Sequence, residues 1–343
     1  MSLQTQNLTL LNSEEIQRFY DEKFYFSYSS INKLLFSPRL FYSHYILKQK
    51  EDKTDAHLIA GRALHCLLLE PDRFDEQFVT LPGKIPTESN KVIIDHIFNN
   101  NYLPMNNDAL TLEDFPNELL GQLVVGNLYQ SLKTDPQRLE KILTDNNKEY
   151  FNFLKIRESK TVIDPAVKQQ AEEALEALKA NDRVKALLQM NDVKPLGVSV
   201  FNELMITSEL DNQPFGFKGI LDNVVMDENT KTLFVNDLKT TNKNIESFPD
   251  TVIYHRYDIQ AVMYVGLAYD RFLKSKPDAD EWKIIVTFIV IDKYNQVYPF
   301  QVSQETLEMW EAEFFNVVNV LNYHYINKDY TLPYQLAIGN VKL

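Results

Sequence analysis

The sequence predicts a mixed α/β fold in which a mixed sheet, containing an antiparallel meander of strands, is flanked by helices. Three observations lead to this prediction. From Leu196 onward, the spacing of apolar residues changes from the helical period to the alternation typical of strands. Short polar turns separate the first three of these strands, which favours antiparallel pairing. An amphipathic helix and a nearly uniform apolar strand follow, so the expected order is helix, three strands, helix, strand.

The N-terminal half of the chain is predicted to be helical. Residues 28–35 have serines at cap positions followed by apolar residues at helical spacing, and residues 56–69 continue an apolar helical pattern. Residues 82–157 contain several prolines, many asparagines and short amphipathic pieces, which indicates a helical insertion or subdomain. Residues 164–190 predict an amphipathic helical region that leads into the strands.

The C-terminal half is predicted to alternate between strands and helices. Residues 283–291 are nearly all apolar, as in a central strand that is buried on both faces. We expect strands over residues 198–206, 215–226, 232–238, 283–291 and 297–302, and helices over residues 258–273 and 305–325. The expected division of the chain is N-terminal helices of the core domain over 1–81, the insertion over 82–157, and the rest of the core with a C-terminal helix over 158–343.

Composition limits the classes of function. The chain has 343 residues and 44% hydrophobic residues, enough for a sizeable core in one large domain or two ordinary ones. Its net charge of -13 is not that of a passive nucleic-acid binder, so contact with phosphate needs a local basic groove or metal ions. Cys66 is the only cysteine, which excludes an intramolecular disulfide framework and a four-cysteine zinc or iron–sulfur site.

No membrane-spanning or secretory segment is predicted. Residues 1–13 are polar and lack an apolar signal core, and no run of about 18 apolar residues occurs in the chain. The default expectation is therefore a cytoplasmic protein.

Charged residues on two neighbouring predicted strands form the most informative pattern. Asp222 lies on the second strand of the meander, and Asp237 and Lys239 lie on the third. Because side chains alternate between the faces of a strand, Asp237 and Lys239 point to one side, while Leu238 points the other way into a core. Two acids and a lysine on one face can hold a divalent metal ion and activate water for phosphodiester cleavage. Glu203 on the first strand could join them, although a solvated strand face is its expected place.

Five short motifs occur in order along the chain. They are Ser37-Pro38-Arg39-Leu40-Phe41-Tyr42, the segment from Gly61-Arg62-Ala63-Leu64-His65 to Glu70-Pro71, Gly219-Ile220-Leu221-Asp222, Asp237-Leu238-Lys239-Thr240 and Gln260-Ala261-Val262-Met263-Tyr264. In this order they resemble the motifs of the PD-(D/E)XK nuclease superfamily, and most closely those of phage exonucleases in its RecE-like and RecB-type group (exodeoxyribonuclease VIII-like). The resemblance covers roughly residues 26–80 and 196–300. It implies the αβββαβ core of that superfamily, which agrees with the order of elements predicted from periodicity.

The resemblance implies a role for each matching residue. The expected metal ligands, for Mg²⁺ or for Mn²⁺ in its place, are Asp222, Asp237, the backbone carbonyl of Leu238 and a ring nitrogen of His65. The expected catalytic residues are Asp222, Asp237, Lys239 and His65. Lys239 would orient or deprotonate the attacking water and offset negative charge in the transition state. The residues expected to contact the substrate or support the site are Gln260, Tyr264, Arg62 and Thr240.

The resemblance also implies a substrate and partners. We expect a metal-dependent exonuclease that digests linear double-stranded DNA, in the 5′ to 3′ direction, in phage recombination or DNA processing. A single-strand annealing protein is an expected partner, and a phage enzyme of this kind would act in the cytoplasm of its bacterial host. Assembly into a ring would let an acidic outer surface coexist with a basic channel. The candidate positive groups near the site are Lys218, Lys239, Lys243, Arg256, Arg39 and Arg62.

Two alternatives stay open at this point. A structure-specific endonuclease or a single-strand nuclease of the same superfamily would use the same residues. The fold could instead serve as a catalytically inert nucleic-acid-binding or protein-binding module of a phage assembly. The sequence retains Asp222, Asp237 and Lys239. This argues against an inert module, because a site that has lost its activity usually loses one of these residues.

Overall fold

The structure, a computed structural model, describes residues 17–49, 56–105, 107–157, 159–191, 193, 195–210 and 212–341. The polar stretch of residues 1–13 lies outside the described residues. The chain divides into two compact units. The first unit comprises Met1–Thr54 and Ala174–Leu343, and the second comprises Asp55–Glu173. The helical insertion predicted over 82–157 lies wholly inside the second unit.

The first unit begins with a short strand and two helices. These elements are β1 (Tyr25–Phe26), α1 (Tyr28–Phe36) and α2 (Pro38–Phe41), which continues as a π-helical turn over Tyr42–Ile46. The α1 helix is present as predicted over residues 28–35, but its cap is the preceding residue: the Ser27 hydroxyl accepts a hydrogen bond from the backbone N–H of Ser30, and the serines of the predicted segment lie inside the helix.

The second unit consists mainly of helices. Its elements in chain order are α3 (Ala56–Leu69), α4 (Phe74–Gln77), β2 (Phe78–Thr80), α5 (Glu88–Ile97), α6 (Leu103–Met105), α7 (Pro116–Val125), α8 (Asp135–Ile142), α9 (Asp145–Ile156), β3 (Thr161–Ile163) and the start of α10 (Pro165–Ala180). The strands β2 and β3 pair in parallel as a small sheet of their own. Buried aliphatic and aromatic side chains of α5, α7 and α9 form the core of this unit.

The remainder of the first unit carries the main sheet and the helices that cover it. The elements are α11 (Asp182–Leu188), β4 (Val198–Glu209), β5 (Gly216–Asp227), β6 (Thr232–Thr241), α12 (Phe248–His255), α13 (Tyr257–Phe272), β7 (Lys283–Asp292), β8 (Val297–Gln301), α14 (Gln304–Asn327) and α15 (Tyr334–Ala337). Every strand that the sequence predicts after residue 196 is present. The helix α12 and the short strands β1, β2 and β3 were not predicted.

The main sheet is mixed, which confirms the predicted fold class. The strands β4, β5 and β6 form the expected antiparallel meander, β6 pairs in parallel with β7, and β7 pairs antiparallel with β8. The strand β7 lies between β6 and β8 and is buried along most of its length, as its apolar sequence predicts.

One edge of β5 changes its partner along the strand. The strand β6 pairs with β5 only between Asn223 and Asp227, and β1 pairs with it only at Gly216 and Phe217. Between these two stretches, no strand of the described chain pairs with that edge of β5. The strand β6 meanwhile continues along β7 as far as Thr241. The two strands of the hairpin therefore separate, and we call the space between them the β5–β6 gap.

The alternation of side chains reverses beside this gap. Phe201 of β4 packs against Phe272 of α13, with their ring centroids 4.9 Å apart. Further along β4, Ile206 is also buried in the same core, although residues 201 and 206 would face opposite sides of a regular strand. The reversal occurs at Glu203, whose backbone φ of 46° lies in the left-handed region. One residue in an unusual conformation thus lets both halves of β4 face α13.

The core of the first unit lies between the main sheet and the helices α1, α13 and α14, and it is rich in aromatic residues. Its fully buried aromatic side chains are Phe26, Phe41, Phe215, Phe248 and Phe288. Among the described helices of both units, none combines the length and the apolar character needed to cross a membrane.

Candidate metal centre and active site

Asp237 and Lys239 form an ion pair on the side of β6 that faces α13. The Lys239 Nζ atom lies 2.5 Å from Asp237 Oδ2, and Asp237 is only 2% exposed. The other carboxylate oxygen, Asp237 Oδ1, accepts a hydrogen bond of 3.0 Å from Gln260 Nε2 of α13. The alternation of β6 places the two charged side chains together, as the sequence predicts, and buries the Leu238 side chain on the opposite face.

Asp222 lies where β5 and β6 separate. Its Oδ2 atom accepts a hydrogen bond of 2.7 Å from the backbone N–H of Leu238. Because Asn223 and Asn236 form the last backbone pair of the two strands, this side chain replaces a ladder bond that β5 no longer offers. The hydrogen bond fixes the Asp222 carboxylate in the β5–β6 gap, next to Asp237.

Glu203 belongs to the same cluster, which corrects the expectation of a solvated strand face. The β4–β5 ladder has no pair at Glu203 and Asp222, which both lie between the pairs Asn202–Asn223 and Leu204–Leu221. One of the Glu203 carboxylate oxygens comes within 4.8 Å of a carboxylate oxygen of Asp222. The left-handed backbone of Glu203 turns the side chain out of the regular alternation. The sequence does contain a signal for this proximity, because a hairpin that turns at residues 212–213 sets Glu203 across from Asp222.

The donor set of this cluster fits a divalent cation. Glu203, Asp222 and Asp237 offer carboxylate oxygens, which are the ligands that Mg²⁺, Mn²⁺ and Ca²⁺ prefer. Two oxygens bound to one such ion lie at most about 4 to 5 Å apart, which is the spacing of the Glu203 and Asp222 oxygens. Like charges that face each other on neighbouring strands destabilise a sheet, so positive charge in the gap would relieve their repulsion.

The environment of Lys239 keeps its ammonium group beside the acids. Burial by itself lowers the pKa of Lys239, but the negative charges of Asp237 and Asp222 outweigh that effect and raise the pKa above its ordinary value. The Nζ atom also lies 4.6 Å from the centroid of the Tyr257 ring, a cation–π distance. Lys239 is therefore held between carboxylates on one side and an aromatic ring on the other.

Helix α13 forms a wall over the carboxylates. Gln260 and Tyr264 are four residues apart and share one face of the helix, and both are buried. Burial raises the pKa of Tyr264 well above its ordinary value, and the charges of Asp237 and Asp222 raise it further, so the hydroxyl keeps its proton. A Cβ atom at Gly219 would lie only 2.8 Å from the Tyr264 ring, which explains why glycine occupies this position of the motif.

A second polar cluster, the asparagine ladder of Asn202, Asn223 and Asn236, crosses the three strands on the opposite face. Asn236 Nδ2 donates to Asn223 Oδ1 at 2.8 Å and to the carbonyl of Leu187 in α11 at 3.1 Å. Asn223 Nδ2 in turn donates to Asn202 Oδ1 at 2.8 Å. Each of these amides is the chain neighbour of an acid of the site. The asparagine ladder therefore joins the strands immediately before they separate.

Three more of the predicted site residues lie on α3 and on β6. His65 and Arg62 belong to α3 in the second unit, where His65 is half-buried and the Arg62 guanidinium lies 5.9 Å from the centroid of the Phe78 ring. Thr240 is exposed and follows Lys239 on β6. Within the first unit, the structure thus brings together Asp222, Asp237, Lys239, Gln260 and Tyr264, and it adds Glu203.

Comparison with known proteins identifies the family. The sequence model of the PD-(D/E)XK nuclease superfamily matches residues 25–326. Among solved structures, the chain is similar to a protein from Eubacterium rectale named "Putative exonuclease", with 13% identity, a TM-score of 0.42, and coverage of 100% of this chain and 95% of that one. A search of curated proteins finds no match. From its sequence over most of its length, the chain belongs to the PD-(D/E)XK nuclease superfamily, whose members hydrolyse nucleic acids and use divalent metal ions.

Proposed function

We propose that this protein is a Mg²⁺-dependent deoxyribonuclease that degrades linear double-stranded DNA from its ends. One observation carries the nuclease part of the proposal: at the β5–β6 gap the Asp237 carboxylate pairs with the Lys239 ammonium group, Asp222 acts on the same ammonium group, and Glu203 comes within 4.8 Å of Asp222. Acidic ligands for a hard cation, next to a fixed positive charge, are what hydrolysis of a phosphodiester requires.

The residues that would hold the metal ion are the three carboxylates and two groups implied by the sequence motifs. Those two groups are the backbone carbonyl of Leu238 and a ring nitrogen of His65. A divalent ion bound there supplies Lewis-acid polarisation of the phosphate oxygens. The proposal that His65 is a ligand comes from its motif.

The chain's own residues position the reacting groups. Asp237 holds the Lys239 ammonium in the gap, and Gln260 fixes the orientation of Asp237 through its Nε2–H. Placed at the carboxylates, the Lys239 ammonium can orient the attacking water and offset the charge that develops on the phosphate oxygens. The buried hydroxyl of Tyr264 and the amide of Gln260 form a rigid wall that excludes bulk water from one side of the site.

Exonuclease action on duplex ends, with 5′ to 3′ polarity, is supported by the resemblance of the motifs to phage exonucleases. The same resemblance supports a role in phage recombination, with a single-strand annealing protein as partner and a ring as the assembled form. Two of the candidate cations already have partners: Arg256 Nη2 lies 2.9 Å from Asp258 Oδ2, and Arg39 Nε donates to the carbonyl of Thr331 at 3.2 Å. Lys218 and Lys243 are exposed, and we propose them as phosphate contacts, along with Arg62.

The experiment compares three DNA substrates in the presence of Mg²⁺, Mn²⁺ or a chelator. Linear duplexes labelled at the 5′ end or at the 3′ end report which terminus is released first, and a covalently closed circle reports internal cleavage. We expect release of the 5′ label first, no release with chelator, and an intact circle. Nicking of the circle would replace exonuclease with endonuclease action. Absence of cleavage with every ion, together with DNA binding, would indicate an inert binding module.

A further inference from the structure

Three aromatic rings lead from the catalytic lysine to the surface of the first unit. We call Tyr257, His255 and Tyr254 the ring track. Lys239 Nζ lies 4.6 Å from the centroid of the Tyr257 ring. The His255 ring stacks on Tyr257, with centroids 5.5 Å apart and planes inclined by 24°, and Tyr254 meets His255 edge-on with centroids 4.9 Å apart. The track therefore begins inside the site and continues outward through two ring contacts.

The outer end of the ring track is exposed to solvent. Tyr254 is 78% exposed, its neighbour Ile253 is 73% exposed, and His255 is also exposed. Large apolar groups that lie side by side on a surface, without a packing role, mark contact sites for ligands. Core packing accounts for Tyr257 at the inner end of the track, but it does not account for the outer rings.

The backbone that carries these rings is held rigidly. Arg256, between His255 and Tyr257, has a φ of 59°, a left-handed conformation that is costly for a residue with a side chain. The carbonyl of His255 accepts hydrogen bonds from the Tyr28 hydroxyl at 2.5 Å and from Asn32 Nδ2 at 2.8 Å. Side chains of α1 thus fix the turn that keeps the two rings stacked.

The charge around the ring track suits a polyanion with aromatic groups. Lys243 Nζ lies 5.8 Å from the centroid of the Tyr254 ring, so a cation accompanies the track at each end. The charge of the nearby Asp258 is compensated by Arg256, whose guanidinium group donates bidentate hydrogen bonds to the carboxylate. Burial lowers the pKa of His255, and the charges of Lys243 and Lys239 lower it further, so its ring is a neutral stacking surface near pH 7.

We propose that the ring track binds an unpaired nucleobase of the DNA strand whose phosphate lies at Lys239, with the base stacked on the exposed Tyr254 ring, which His255 supports edge-on, and the next phosphate paired with Lys243. This inference rests on the proposed function, because it takes nucleic acid as the substrate. Aromatic side chains stack with every base, so the contact tolerates any sequence, as a nuclease without sequence preference needs. A duplex end would have to lose its terminal base pair before it occupies the track.

The test measures binding in chelator, where no cleavage takes place. The probes are a short fluorescent oligothymidylate and an oligonucleotide of the same length in which the bases are replaced by abasic sites. We expect the wild-type protein to bind the thymidylate more tightly. Loss of one stacking contact weakens binding by about 5- to 150-fold, so Tyr254→Ala should remove most of this difference. His255→Ala removes the ring that supports Tyr254 and should reduce the difference as well.

Two control variants separate stacking from other effects. Tyr254→Phe keeps the ring and should bind the thymidylate like the wild type. Tyr269→Ala removes another exposed tyrosine from α13, twelve residues and about 18 Å along the helix from Tyr257, and should also change nothing. A 2-aminopurine base in the probe supplies a spectroscopic readout, since stacking on a protein ring quenches its fluorescence in the wild type and not in Tyr254→Ala.

The outcomes are distinct for the two proposals. Equal affinity of the wild type for the thymidylate and the abasic probe, or equal loss of both in Tyr254→Ala, would overturn the ring track as a base-binding site. A clear preference for bases in a protein that cleaves no DNA would instead reject the proposed nuclease activity and retain the track. Reduced salt dependence in Lys243→Ala supports the phosphate contact, and an unchanged dependence contradicts it.

Discussion

The asparagine ladder and the carboxylate cluster lie on the same three strands, one residue apart, but they have opposite effects on the stability of the sheet. In the ladder, neutral amides donate to and accept from one another, so the hydrogen bonds themselves hold β4, β5 and β6 together. In the carboxylate cluster, Lys239 compensates Asp237 and Asp222, while Glu203 lies close to Asp222, so the repulsion between these acids works against the same strands. The difference teaches that neutral polar residues stabilise the sheet where it must carry a concentration of negative charge.

The same contrast explains why the strands separate where they do. The last backbone pair between β5 and β6 joins Asn223 to Asn236, and the next residue on each strand towards the gap is an acid. A closed ladder at that point would press the carboxylates of Asp222 and Asp237 together in a buried place. The gap gives them room for a cation, and the hydrogen bond from Leu238 N–H keeps Asp222 in position.

The largest effect is expected when a charge is removed from the cluster. Asp237→Asn keeps the shape of the side chain but removes the charge of a proposed metal ligand, which is also the ion-pair partner of Lys239. We expect the rate of metal-dependent DNA cleavage to fall by about three orders of magnitude or more, with the fold intact by circular dichroism. Asp227→Asn at the far end of β5 is the matched control and should keep full activity. Full activity in Asp237→Asn would contradict the assignment of the active site to this cluster.

A smaller loss is expected at the acid that the sequence analysis did not assign to the site. Glu203→Gln leaves two carboxylates and removes the repulsion across from Asp222. We expect Mn²⁺ affinity, measured by calorimetry, to fall by about 10- to 100-fold, and stability to urea in chelator to stay equal or rise. Glu209→Gln at the exposed end of the same strand serves as the control. An unchanged Mn²⁺ affinity in Glu203→Gln would remove this residue from the proposed metal site.

The asparagine ladder should respond in the opposite way. Asn236→Leu deletes donors to Asn223 and to the Leu187 carbonyl and leaves those acceptors buried. We expect the free energy of unfolding in urea to fall by about 1 to 3 kcal/mol. The cleavage rate per folded molecule should change far less than in Asp237→Asn. A loss of cleavage as large as that of Asp237→Asn, without lost stability, would contradict the separation of the two clusters.

The smallest effect concerns the alkaline limit of stability. The pKa of Lys239 is raised in the folded protein, so its contribution to stability is complete below the unfolded value of about 10.4 and is lost as pH rises through the higher folded value. In chelator, the wild type should therefore lose unfolding free energy more steeply above about pH 10 than Lys239→Met does. Urea melts of the two proteins across this range measure the difference, and parallel curves would show that the ion pair does not form.

Much of the fold follows from local sequence patterns. The strand-like spacing of apolar residues in β4, β5 and β6 and the apolar run of β7 identify strands from residues that are close in the chain. The strand β1 was not predicted because a segment of two residues is too short to show alternating apolar and polar positions. It forms because the edge of β5 is available for pairing. The helix α12 escaped because its eight residues follow a turn and bury only part of one face.

The candidate site divides in the same way. The sequence by itself determined that Asp237 and Lys239 share a face, because that depends only on alternation within one strand. It also identified Asp222, Gln260 and Tyr264 through their motifs. Only the tertiary structure decided that Glu203 joins them, because a left-handed residue and the separation of two strands turn its carboxylate towards Asp222. The ring track, too, depends on a strained turn at Arg256 that α1 holds in place, which no local pattern predicts.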